Sequence, residues 1–313
     1  MKLVSWYFCV SLFINLFINL WLLPAPAWAE TIVATTATIE KIEMAKLFDL
    51  AIQHTQVGNY QQAITEFSTI LEQDATKTNA YLNRCFAYLQ LESYLEALTD
   101  CSTVIKLNPQ QQEAYLHRGL ANYRLGRYAQ SLIDYDRLIT LSPNNFRAYY
   151  NRGLAKVGMK NYPEAIADYN HALDNIPPDE VRRIALVYND RGLAYFFQED
   201  INQAKADFNH AIALDRRDAR SYYNLACIYH HQGSFQKAIA NFTTTLELEP
   251  NQPDAYRSRG LSYQGLGNIS LALADLYQAA KIYRLQEKAT AYQTTMQMIE
   301  VLDQERSQQM AIS

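Results

Sequence analysis

The chain of 313 residues has three tryptophans, and all of them (Trp6, Trp21 and Trp28) fall before residue 30. It also lacks an excess of basic residues: 28 Lys and Arg stand against 32 Asp and Glu, for a net charge of −4. A nucleic-acid binder needs a basic stripe to neutralise phosphates, so that class of partner is excluded. The charges are interspersed, with no acidic tail and no basic arm. No Gly-rich phosphate loop, nucleophile elbow or H-E-x-x-H stretch occurs. The sequence therefore reads as non-enzymatic, with no cofactor. Cysteine is scarce too. Three of the four lie beyond residue 29, an odd number.

What the chain does have is a rhythm. Tyr81, Tyr115, Tyr149, Tyr188, Tyr222 and Tyr256 follow one another at steps of 34, 34, 39, 34 and 34 residues. A fixed period of this size marks one supersecondary unit copied many times and stacked into an array. Each tyrosine heads a similar string, such as YLHRGLANYRLGRYAQSLIDYDRLITLSP from Tyr115. Apolar and small residues recur at helical spacing on both sides of a short break, as in two antiparallel helices. Gly126 marks one such break, and Pro109, Pro143, Pro177 and Pro250 close four of the units.

These strings resemble the tetratricopeptide repeat, with its W-x2-L-G-x2-Y, A-x3-F and P pattern. Seven copies align at 44–77, 78–111, 112–145, 146–179, 185–218, 219–252 and 253–286. Tyr takes the place of the Trp in six of them, and the first copy has Leu47 there. The small residue opening the second helix is Ala63, Ala97, Ser131, Ala165, Ala204, Ala238 or Ala272, expected to lie opposite Gly119, Gly153, Gly192 or Gly260. Four residues on, Phe67, Cys101, Tyr135, Tyr169, Phe208, Phe242 or Leu276 is expected to fill space toward the head tyrosine. The resemblance implies an all-α fold: a right-handed α-solenoid of about seven helix-turn-helix repeats. It also resembles exported bacterial members of the family, which commonly scaffold envelope machinery.

Residues 1–29 read as a secretory signal, with one charge at Lys2, an apolar stretch from Leu3 to Leu23, and Ala27-Trp28-Ala29 as the cleavage site. The alternative is an uncleaved membrane anchor, since that stretch is long enough to span a bilayer. Cleavage places the protein in the periplasm or another extracytoplasmic space. Residues 30–43 read as a tether, and 287–313 as a capping helix and tail with Ala289, Tyr292, Met296, Ile299 and Asp303 on one face. Cys85 and Cys101 read as two small core residues, because their offset strains a disulfide.

Five copies carry Arg before the small residue of the first helix: Arg84, Arg118, Arg152, Arg191 and Arg259. The same five carry Asp before the bulky residue of the second: Asp100, Asp134, Asp168, Asp207 and Asp275. The copies with Leu50 and Leu225 have Glu66 and Asn241 instead. This covariation inside one chain points to a structural ion pair within each repeat rather than between neighbours.

In the family, places two, five, nine and twelve of each first helix line the concave face. Here they include Phe86, Leu116, Leu120, Tyr123, Tyr150, Leu154, Phe196 and Tyr223, with Arg147, Arg220 and Arg257 among them. That lining implies a groove for a protein or peptide segment with apolar side chains. The competing reading is packing between adjacent repeats; Tyr150 and Tyr223 are expected to be exposed. The family's carboxylate-binding pattern is matched only at Asn83 of the first three copies. Cys227, His230 and His231 form C-x-x-H-H, a weak metal candidate. Five extra residues, 180–184, are expected to start the first helix of the fifth copy early, with Asp179 as its cap and Arg182 and Arg183 projecting from the array.

Overall fold

The computed structural model describes the backbone of residues 27–312 and the side chains of 41–307. The apolar stretch before residue 27 lies outside the described residues. Those residues form fifteen α-helices and no strand. Among them, no helix is long and apolar enough to cross a membrane. The fold is an α-solenoid.

Two compact units are distinguished, Met1–Glu96 and Ala97–Ser313. In the first, α1 (Ala27–Gln56), α2 (Tyr60–Gln73) and α3 (Thr78–Gln90) pack on one another. Their core gathers Ala51, Ala63, Phe67, Ile70 and Ala80, with Phe48 edge-on to Phe67 at 5.6 Å. The expected tether is not a loop. Residues 30–43 belong to α1, because no proline or glycine interrupts the chain between Ala27 and Val57.

The second unit begins within α4 (Tyr94–Leu107). It continues with α5 (Gln112–Arg124), α6 (Tyr128–Leu141), α7 (Phe146–Gly158), α8 (Tyr162–Asn175), α9 (Val181–Phe197) and α10 (Ile201–Leu214). After these come α11 (Ala219–His231), α12 (Phe235–Leu248), α13 (Pro253–Gly265), α14 (Ile269–Leu285) and α15 (Ala289–Ile312). Each first helix (α5, α7, α9, α11, α13) packs on its second helix, and α5, α7, α9 and α11 also pack on the next first helix. The first helices therefore make one continuous face. Small residues let them approach: Ala114, Ala121, Ala148, Ala155, Ala194 and Ala255 are all fully buried.

The bulky residue of the second helix comes nearest to three of these glycines. A Cβ on Gly119 would stand 2.5 Å from Tyr135, one on Gly153 2.7 Å from Tyr169, and one on Gly192 2.8 Å from Phe208. The aromatic ring four residues beyond the small residue crowds the space a side chain would need there. At Gly260 the nearest atom is the carbonyl oxygen of Ala272, at 3.1 Å, since Leu276 brings no ring.

The long step is taken up as a longer helix. α9 has 17 residues, while α5, α7, α11 and α13 have 13. Its N-cap is Glu180, not Asp179, and makes no side-chain capping bond. Arg183 does not simply project: it bonds Glu180 at 2.5 Å and its guanidinium lies 5.9 Å from the Phe146 ring. At the other end, Ile299 and Leu302 of α15 are buried with Leu273 and Leu276 of α14. The opposite face of α15, Gln293, Thr294, Gln297, Glu300 and Gln304, is exposed. This closes the core with a polar surface, as a stacked array requires at its end.

Candidate binding face

The side chains of each repeat divide between those that hold the helix pair and those that reach the face of first helices. The holding set centres on arginine. Arg118 donates Nε and Nη2 to Asp134 at 3.1 and 2.6 Å, and Arg152 does the same to Asp168 at 2.9 and 2.6 Å. Arg191–Asp207 and Arg259–Asp275 are likewise forked, with every bond between 2.7 and 2.8 Å. The four aspartates are 2–7% exposed. Burial raises the Asp134 pKa, opposed by its bonds to Arg118. Asp100 is buried as well, at 3%.

The arginines also reach back one repeat, which the within-repeat expectation missed. Nη1 of Arg118 bonds Ser102, that of Arg152 Asp136, that of Arg191 Asn170 and that of Arg259 Thr243. Arg84 bonds Ser68 in the same manner. The guanidinium also lies over the head tyrosine three residues earlier, 5.9 Å from Tyr115, 5.4 Å from Tyr149, 5.2 Å from Tyr188 and 5.6 Å from Tyr256. One residue thus ties two repeats and orients the aromatic ring that sets the rhythm. A second donor one helical turn on was also missed: Asn122 to Asp134, Lys156 to Asp168, and His54 to Glu66 where the arginine is absent. In the sixth copy Leu225 is buried at 3% and no ion pair is needed.

The residues expected to line the groove behave unequally. Leu116 is only 4% exposed and belongs to the core with Tyr135 and Leu138. Leu120 is half-buried, and Leu154 and Phe196 pack partly into repeat cores. Phe86 sits edge-on to Tyr60 at 6.3 Å. Tyr123 and Tyr150 are half-buried on the face of first helices. Tyr150 is not simply exposed: it donates its hydroxyl to Asp190 at 2.7 Å. Tyr223 packs 5.6 Å from Phe242, and burial pushes its phenol up to about 12.

The three arginines of this face are already paired. Arg147 forks onto Glu113 with two bonds of 3.0 Å, Arg220 bonds Asp218 at 3.1 Å, and Arg257 bonds Asp254 at 2.8 Å. Beside Glu113, His117 is held neutral by burial, its pKa lowered to about 4.

Asp190 was not foreseen. It occupies the sixth place of its repeat, where the other copies have Asp49, Asn83, His117, Asn151, Asn224 and Ser258, and that polar column was the available signal. Asp190 accepts from Tyr150 and from the Asn189 amide at 3.2 Å. Asn189, itself buried, accepts from Ser221 at 3.1 Å and Asn224 at 3.0 Å. The network joins α7, α9 and α11.

Cys227, His230 and His231 do not bring their donor atoms together into a metal site. His230 bonds Ser262 at 2.9 Å, and burial pushes the Cys227 thiol up to about 11. Cys227 is a free thiol, while Cys85 and Cys101 are each disulfide-bonded, against the expectation of plain core thiols.

No curated protein matches the sequence. Among solved structures, a tetratricopeptide repeat protein from Parabacteroides merdae superposes with TM-score 0.64 at 18% identity, covering 81% of this chain and 98% of that one. The APC/C hetero-tetramer Cut9–Hcn1 gives 0.62 at 17%, covering 78% of this chain and 48% of that one. Pseudomonas aeruginosa pilF gives 0.60 at 16%, covering 72% and 99%. These likenesses concern the fold. Three tetratricopeptide repeat models match residues 87–146, 146–179 with 185–218, and 219–252. With the paired helices and the 34-residue period, they establish that this chain belongs to the tetratricopeptide repeat family.

Proposed function

We propose that the protein is a non-enzymatic scaffold outside the cytoplasm that holds a peptide or protein segment along the face made by α5, α7, α9 and α11. The observation that carries this reading is the composition of that face. It is continuous, half-buried and aromatic at Tyr123, Tyr150 and Tyr223, and its arginines are satisfied internally. An extended segment burying apolar side chains gains most from such a surface. Two observations support export: the signal-like pattern of residues 1–29, and the disulfide-bonded Cys85 and Cys101, which suit an oxidising compartment.

A photo-crosslinking side chain tests the reading. Placed at Leu154 on the first-helix face, it should join the protein to a discrete polypeptide in its own cell. Placed at Thr140, exposed on a second helix, it should not. Equal crosslinking from both positions would overturn the reading.

A further inference from the structure

The charges at the second, fifth and sixth places of the first helices in the second unit mostly cancel locally. Glu113 meets Arg147, Asp218 meets Arg220, and Asp254 meets both Arg257 and the Tyr283 hydroxyl at 2.6 Å. Asp190 differs. Its two bonded partners, the Tyr150 hydroxyl and the Asn189 amide, are neutral donors. Arg220 exerts a field on it but bonds Asp218 instead. An ionised carboxylate offers about four lone-pair positions, and two are used here. The other positions take no bond from any described residue; Asp190 is partly exposed, and burial raises its pKa, opposed by the Tyr150 bond, the Arg220 charge and the Asn189 bond. The hydroxyl bond holds the Tyr150 ring beside it, and the Asp190 charge also reaches the phenol of Tyr123 on α5. A carboxylate with aromatic neighbours and no bonded cation of its own is complementary to a positive group.

We propose that Asp190 is the specificity-determining contact for a lysine or arginine side chain of the bound segment, with Tyr123 and Tyr150 beside its aliphatic stem. This rests on the peptide-binding reading above and adds the chemistry of the partner: one cationic residue flanked by apolar ones. Tyr150 and Asn189 are positioning residues, since they aim the carboxylate. Asn189 in turn is fixed by Ser221 and Asn224 from the next repeat.

The test is a selection of phage-displayed random short peptides on the full chain, expressed with its own N-terminus. Selected peptides should share a Lys or Arg between apolar residues. Affinity of the best one, measured by calorimetry, should fall about tenfold with Asp190→Asn, the size expected for one well-placed charge contact. Replacing the peptide's cationic residue by norleucine should cost as much, and the two changes together little more than either alone. Tyr150→Phe should give a smaller loss and Arg220→Gln a gain.

Peptides without a cationic residue, or equal affinity for wild type and Asp190→Asn, would overturn the assignment while leaving peptide binding standing. Failure to select any peptide would overturn both. Should Asp190→Asn not fold, the norleucine peptide on the wild-type protein decides alone: undiminished binding rejects the contact.

Discussion

At the residue scale, the same physical problem is solved in every copy with small variations, and the variations predict their own effects. Asp134 is 2% exposed and takes two forked bonds from Arg118. Asp134→Asn leaves a guanidinium facing a neutral amide and should lower stability by about 2 kcal/mol in thermal or urea denaturation. An unchanged midpoint would sink the structural role of the pair. Tyr135 and Tyr169 are fully buried, and their hydroxyls find no hydrogen-bond partner among the described residues. The fifth and sixth copies place Phe208 and Phe242 at the same position. Tyr135→Phe should therefore raise stability by about 1 kcal/mol. Gly119→Ala, whose methyl group would meet the same ring at 2.5 Å, should lower it by about 2 kcal/mol. Measured together, the two variants separate loss of an unsatisfied hydroxyl from overpacking.

At the element scale, the turns between the two helices of each repeat share a left-handed residue just past the first helix. Gly58, Gly126, Gly233 and Gly267 serve in four turns, while Glu92, Lys160 and Glu199 do so in others with φ near +60°. A side chain costs roughly 1–2 kcal/mol in that conformation, partly offset by its lower entropy in the unfolded chain. Lys160→Gly should thus stabilise by about 0.5–1 kcal/mol, seen as a higher melting temperature; a fall would mean that Lys160 makes a contact worth more than the strain. The terminal element is tested by deletion. Stopping the chain after Lys288 uncovers Leu273, Leu276 and Ala280, which α15 now covers. The shortened protein should self-associate in size-exclusion chromatography. A monodisperse monomer would show that the array ends without its cap. The longer α9 illustrates how far sequence carries at this scale. The step of 39 residues announced an early start, but Glu180 rather than Asp179 at its head follows from where the preceding turn places the chain, with Glu180 N–H bonded to Pro177.

At the scale of the whole molecule, export and redox state make a joint expectation. A chain processed after Ala29 retains no tryptophan and three cysteines. Denatured without reductant, it should yield one titratable thiol, that of Cys227, and show tyrosine but not tryptophan fluorescence. Three titratable thiols, or a tryptophan signal from protein purified from its own cell, would contradict it.

The period determined the helix pairing, the number of copies and the site of the irregularity, because a repeat of 34 residues has one economical way to bury its apolar stripe, against the next copy. Covariation within the chain also exposed the Arg and Asp columns. What only the tertiary structure decided is how each column is used. The arginines bridge two repeats as well as two helices, since their third nitrogen meets a polar residue 16 positions back in four cases and 21 in the fifth copy. Leu116 turns into the core while Tyr150 turns to a carboxylate 40 residues on. Such distinctions depend on the angle at which neighbouring helices cross. A one-dimensional pattern fixes which residues share a helix face, but the packing of the next helix decides whether that face is covered, charged or open.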